Sequence, residues 1–227
     1  MNQQKFWSMR KTMESSSRRA DWADGEVETE KIICPVSDGH QRGGKRLTDL
    51  SVTLPGNNTE DFVWTWGNEC LLTDRVLELF ESEGFTGFEF KPVKARYNGL
   101  KQTPPRLWEL VVTGWAGIAP SESGIKIIES ECCQSCGYLG YSGCLHSDKL
   151  IEESQWDGSD FFMVWPLPRF IFITDRVAEV IYREHITGAV IQSPMELDFS
   201  SGFGPGRLSY WMPEARAREI GEPLGIY

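Results

Sequence analysis

From Ile32 onward, short apolar runs alternate with turn-forming residues. This rhythm predicts strands joined by loops, with few long helices. LSVTL (50–54), DFVWTW (61–66), LWELVV (107–112), IKIIES (125–130) and FFMVW (161–165) are the predicted strands. GNNT (56–59), NGLKQTPP (98–105) and APSESG (119–124) carry the Gly, Pro, Asn and Ser chemistry of turns. KFWSM (5–9) reads as a short edge strand. The polar, Ser-rich and then acidic stretch over 11–30 reads as a surface segment. The finish, MPEARAREIGEPLGIY, predicts one short helix and a Gly/Pro-rich end.

One stretch of pattern is written twice. LLTDRVLELFESEGFTGFEF (71–90) returns 101 positions later as FITDRVAEVIYREHITGAVI (172–191), with Trp64 and Trp165 ahead of the copies at the same offset. Val76, Leu79 and Phe80, and then Val177, Val180 and Ile181, fall at i, i+3, i+4 and predict the buried stripe of a helix. Thr73 and Thr174 stand where an N-cap hydroxyl is expected, and Asp74 and Asp175 suit the positive end of the helix dipole. Gly84, or the Thr-Gly pair after it, ends the first helix and returns the chain to a strand. The expected fold is therefore α+β: mostly antiparallel sheet with short helices, in two related strand–helix–strand halves with a zinc-knuckle-like insertion. A polar segment over 1–30 precedes a single domain over 31–227, with the repeat at about 61–93 and 160–194.

Composition narrows the function. At 227 residues, 40% of them hydrophobic, the chain buries a core without needing a metal or disulfide to fold. A net charge of −10 argues against nucleic acid as partner, since phosphate binding needs a basic surface; Lys91, Lys94, Arg96 and Lys101 are the only cluster worth checking for one. An acidic surface suits a basic macromolecule, although plain solubility explains it as well. Glu78, Glu81, Glu83, Glu179 and Glu184 are candidate contacts, with a solvated helix face as the simpler explanation. No stretch is long and apolar enough to cross a bilayer, and the first residues lack the apolar core of a signal peptide. A cytoplasmic protein is expected, in which clustered cysteines serve as ligands more often than as disulfides.

The chemistry concentrates in ECCQSCGYLGYSGCLH (131–146), which holds four of the six cysteines. Cys133-Gln-Ser-Cys136-Gly137 is half of a zinc-ribbon knuckle: two thiolates three residues apart on a tight turn. Two sources exist for the other half. Cys144 and His146 lie close by in sequence. Cys34, in IICPVSDGHQRGG, heads a C-P-x-C-G pattern whose second cysteine is Ser37, with His40 as the substitute. Cys34, Cys133, Cys136, Cys144 and His146 thus form the pool of metal ligands, His40 the alternative, and structural zinc the cofactor. A metal-free remnant stays open as the other reading. Thioredoxin-type redox chemistry is disfavoured because GYLGYSG is a poor helix start, and a zinc deaminase because its H-x-E partner is missing.

Several stretches together resemble the double-CXXCG motif proteins. They are Ile33-Cys34-Pro35-Val36, Leu47-Thr48-Asp49-Leu50-Ser51, Cys133-Gln-Ser-Cys136-Gly137, Trp156-Asp157-Gly158-Ser159-Asp160-Phe161-Phe162, Pro166-Leu167-Pro168 and Thr174-Asp175-Arg176. They follow the family order from about residue 32 to 191, and Ser37 departs from the first CXXCG. The resemblance implies a cytoplasmic immunity protein that binds and neutralises a cognate bacterial toxin, with no catalysis of its own. Within WDGSD, Asp157 and Asp160 are read as turn chemistry in preference to a cation site. The rival reading is a small zinc-dependent enzyme or regulator using Cys133, Cys136, Cys144 and His146.

Overall fold

The structure, a computed structural model, describes residues 5–11, 19–56, 60–99, 101–197, 202–203 and 205–227. In chain order the elements are β1 (Phe6–Lys11), β2 (Asp21–Trp22), β3 (Thr29–Ile32), β4 (Arg42–Arg46), β5 (Ser51–Leu54), β6 (Phe62–Trp64) and β7 (Cys70–Thr73). After β7 come α1 (Asp74–Ser82), β8 (Phe88–Tyr97), β9 (Leu107–Val112), β10 (Gly114–Ile118), β11 (Ile127–Cys133) and β12 (Tyr138–Tyr141). The chain closes with β13 (Phe161–Trp165), β14 (Ile171–Thr174), α2 (Asp175–Arg183), β15 (Ala189–Gln192), β16 (Gly202–Phe203) and α3 (Glu214–Leu224). The fold is mixed α+β with mostly antiparallel sheet, as the pattern predicts. All five predicted strands form. Of the GNNT turn, residues 57–59 lie outside the described residues.

The repeat organises the two large sheets. One runs β2-β5-β8-β9-β7-β6 and the other β10-β13-β14-β1-β15. The core of each has the same order: β6-β7-β9-β8 in the first half and β13-β14-β1-β15 in the second. Register matches residue by residue. Thr73 and Leu72 face Leu107 and Trp108, while Thr174 and Ile173 face Phe6 and Trp7. The strand that completes the second half is therefore supplied by the start of the chain, and Trp7 plays the part of Trp108.

This corrects the edge-strand expectation for KFWSM, because β1 is hydrogen-bonded to β14 on one side and β15 on the other. The physical reason is burial: Ser8 and Met9, on opposite faces of the strand, are both buried, and the Trp7 indole N–H donates to Asp175 at 2.9 Å. Further along, Asp21–Trp22 pairs with β5 and the Ala20 N–H donates to the Trp64 carbonyl at 2.9 Å. Residues 6–11, 20–22 and 29–30 are thus paired into sheet, and 23–28 form the turn that joins β2 to β3.

The helical stripes face the core as their spacing predicts, Leu79 only partly buried at its margin. Val76 and Phe80 are buried in α1, and Val177, Val180 and Ile181 in α2. They enter one shared core, in which Phe80 of the first half meets Phe161 of the second at 5.2 Å between ring centres. Each such buried side chain contributes about 1.5–3 kcal/mol of transfer free energy. The threonines do not cap as expected: neither Thr73 nor Thr174 accepts a helix N–H through its hydroxyl. Asp74 instead accepts the Trp108 indole N–H at 2.6 Å, as Asp175 does that of Trp7.

The halves are clasped reciprocally. Asp61, just before β6, accepts the N–H and hydroxyl of Thr187, each at 3.0 Å, and Asp160, just before β13, accepts those of Thr86 at 3.0 and 3.2 Å. Phe62 N–H donates to the Thr187 carbonyl and Phe161 N–H to the Thr86 carbonyl, both at 3.0 Å. The crossing is so close that a Cβ on Gly87 or Gly188 would lie 2.0 or 2.1 Å from the opposing carbonyl oxygen, and both glycines have φ near +86°. This explains the repeated Thr-Gly. In WDGSD, Asp157 is a turn residue as expected, accepting the N–H and hydroxyl of Ser159 at 3.1 and 2.5 Å. Asp160 does more than make a turn: it is the second clasp.

Candidate metal centre

Two hairpins outside the repeat carry the cysteines. In the first, β3 and β4 form a two-stranded sheet. Cys34 follows β3, and a short 3₁₀ turn over Asp38–His40 brings His40 back towards it. In the second, β11 and β12 pair with Cys133 opposite Tyr138, and Gly137 at φ +69° turns the chain with its N–H on the Cys133 carbonyl at 2.7 Å. A CxxCG sequence folds this way because glycine takes the left-handed position with no steric cost.

The two hairpin tips meet. Cys34 Sγ lies 3.7 Å from Cys133 Sγ and 3.7 Å from His40 Nδ1, and Cys136 Sγ lies 3.9 Å from the same nitrogen. One donor atom from each of Cys34, His40, Cys133 and Cys136 lies within 4.8 Å of every other, close enough to hold a metal ion. The three cysteines are buried and His40 is partly buried. The His40 ring stacks on Tyr138 at 4.2 Å and 8°.

Of the predicted ligand pool, the structure brings together Cys34, Cys133 and Cys136 and completes the set with His40. Cys144 and His146 are not part of it. Cys144 packs in a separate apolar cluster with Phe162 and Leu167 and donates its thiol to the Ser123 carbonyl at 3.3 Å, while His146 is exposed. The ligand set of the rival enzyme reading is therefore not assembled. Sequence proximity misled because β12 carries the chain away from the knuckle before Cys144 is reached. All six cysteines are free.

Arg42, the first residue of β4, was missed from the sequence. Its guanidinium donates to Cys136 Sγ at 3.6 Å, to the Cys136 carbonyl at 2.7 Å and to the His40 carbonyl at 2.8 Å. The only signal was a cation two residues beyond His40. Burial opposes ionisation of Cys136, but the hydrogen bonds from Arg42, the Tyr138 N–H and the neighbouring thiols outweigh it and bring its pKa down to about 6. At Cys34 burial prevails and the thiol is raised, against donations from the Val36 and Ser37 N–H groups. The lowered Cys136 thiol thus lies beside Arg42. Cys70, buried in β7, is raised well above the ordinary thiol range by burial and then by Glu109, which suits an inert core thiol.

The other candidates scatter. Arg96 is taken by Glu26 in an ion pair, Lys91 lines a separate cavity, and Arg183 pairs with both Glu83 and Glu184. Among the described residues, no helix is long and apolar enough to cross a membrane.

Fold and cluster together define an α+β protein of two clasped halves with a Cys₃His centre at one side. No protein-family model matches the chain, and no curated protein matches it either.

Proposed function

We propose that Cys34, His40, Cys133 and Cys136 hold a structural zinc ion, and that the protein acts by binding another macromolecule as an immunity protein neutralising a cognate toxin. The observation that carries this reading is the closed donor set. Structural zinc takes four protein ligands, whereas catalytic zinc keeps a position for water. Zinc–sulfur bonds of about 2.3 Å place two thiolates of a tetrahedron about 3.8 Å apart, and Cys34 and Cys133 stand 3.7 Å apart before any metal is considered. Three thiolates and a neutral imidazole leave the centre with one negative charge, which Arg42 offsets from the next shell outward.

The tethered hairpin also supports a binding role. Ile33 and Val36, on either side of Cys34-Pro35, are 75% and 67% exposed, and Leu47 beyond β4 is 62% exposed. Exposed apolar groups on a rigid support suit a protein interface. The toxin assignment itself rests on the motif order, in which WDGSD and Thr-Asp-Arg are the most specific stretches.

Elemental analysis of purified protein tests the metal, with about one equivalent of zinc expected. Cys133→Ser and Cys136→Ser should each release it and lower the melting temperature by several degrees. Unchanged metal content and melting in both would reject the role. Co-expression with the product of the adjacent reading frame tests the partner. A complex that survives gel filtration and protects the host is expected, and absence of both binding and protection would refute the immunity reading.

A further inference from the structure

A second feature lies beside the metal hairpin and belongs neither to the metal centre nor to the clasp. It is a cavity of about 460 Å³ between β4, the strands β7, β8 and β9 of the first half, and the segment around 205–212. Small-molecule sites commonly run from about 300 to 1,000 Å³. Its lining has an uncommon charge balance for a chain of net −10: Arg42, Lys45, Arg46, Lys91 and Arg169 against Glu69 and Glu109.

Both carboxylates are already engaged. Glu109, 7% exposed at the cavity floor, is ion-paired with Arg46, and Glu69 takes the Thr65 hydroxyl and, at 3.2 Å, the Trp22 indole N–H. Lys45 bonds outward to Glu214 at 2.7 Å, and Arg42 faces Cys136. Among the described residues the Lys91 side chain has no hydrogen bond or ion pair, and Arg169, which lies over the Trp211 ring at 5.6 Å, has no carboxylate partner. Among the described residues the cavity therefore keeps positive charge without a counter-ion, next to flat apolar surfaces, Trp22, Tyr210 and Trp211.

Concave shape, cations without counter-ions and aromatic walls are the chemistry that recognises a flat ring bearing an anionic group. We propose that this cavity binds a small aromatic anion, of which a nucleoside monophosphate is the representative class. The cations hold the phosphate and an aromatic wall takes the ring. The proposal does not depend on the toxin or on zinc, because the cavity's free cations lie on β8 and in the segment after Pro168 rather than among the metal ligands.

The test is calorimetric titration of the full-length protein with AMP, adenosine and inorganic phosphate, with tryptophan fluorescence as a second readout. AMP should bind, with adenosine and phosphate each weaker by about tenfold or more, since each lacks one of the two recognised parts. Raising the salt concentration should weaken AMP binding and leave adenosine unaffected. Arg169→Glu and Lys91→Glu should each weaken AMP by about tenfold at unchanged melting temperature, whereas Lys101→Glu, outside the cavity, should not. No heat or fluorescence change with AMP up to about 10 mM, or adenosine binding as tightly as AMP, would overturn the proposal. So would equal losses in all three variants.

Discussion

In the first half, β9 places Glu109 opposite Leu71 and bonds it to Arg46. At the matching position of the second half, β1 places Ser8 opposite Phe172, fully buried and with no hydrogen-bond partner for its hydroxyl. Lys91 beside that glutamate corresponds to Gln192, which accepts from Arg10 at 2.7 Å. The same four-strand plan thus carries an ion pair beside an open cavity on one copy, and a buried serine with a glutamine–arginine pair on the other. Backbone order is maintained by the clasp and shared core, so residues facing away from the clasp were free to diverge. Chemistry collected on the half that adjoins the metal hairpin.

The clasp differs more subtly. Asp160 uses one oxygen for the Thr174 hydroxyl at 3.0 Å and the other for Thr86, with Arg176 at 3.6 Å. Asp61 turns its free oxygen to Arg75 at 2.9 Å, and Thr73, the counterpart of Thr174, keeps a buried hydroxyl with no partner. A carboxylate has two oxygens, and in the first half the arginine has displaced the threonine. The second clasp is the drier one, its Asp160 side chain 9% exposed against 13% for Asp61.

Urea or thermal unfolding of variants can break or sharpen this contrast. The largest effect should come from Asp160→Ala, about 2–4 kcal/mol destabilising, because three part-buried donors, the Thr86 N–H and the Thr86 and Thr174 hydroxyls, lose their acceptor. Asp61→Ala should cost less, about 2 kcal/mol, since Arg75 at its exposed side regains water. Equal losses would mean that the two clasps are equivalent. Next comes the threonine pair: Thr174→Val should cost about 1–2 kcal/mol, while Thr73→Val should be neutral or stabilising by up to about 1 kcal/mol, because it removes a buried hydroxyl that bonds to nothing. A matching cost in both would show that Thr73 has a partner in solution.

The smallest effect concerns the helix ends. Gly84 after α1 has φ +64°, and its counterpart after α2 is His185, held at φ +52°. A left-handed residue with a Cβ is strained by about 1–2 kcal/mol, from which the greater freedom of unfolded glycine subtracts. His185→Gly should therefore stabilise by about 0.5–1 kcal/mol, and Gly84→Ala should destabilise by about 1 kcal/mol. A destabilising His185→Gly would reveal a contact of the imidazole worth more than the strain.

Much of this was legible along the chain. The 101-residue repeat announced two like halves, the i, i+3, i+4 stripes named the buried helix faces, and the CxxCG knuckle named Cys133 and Cys136. Local pattern carries such information because helix periodicity, turn chemistry and glycine's dihedral freedom act within a few residues. The remainder joins residues remote in sequence. Cys34 and His40 had to be carried about a hundred positions to meet the knuckle, while Cys144, eight residues from Cys136, was carried off. That the first strand of the chain completes the second half, that Asp61 and Asp160 exchange threonines, and that Lys91, Glu109 and Arg169 border one cavity follow from how the sheets cross. No periodicity encodes a crossing; it is chosen by the burial of a common core, which exists only once the chain has closed on itself.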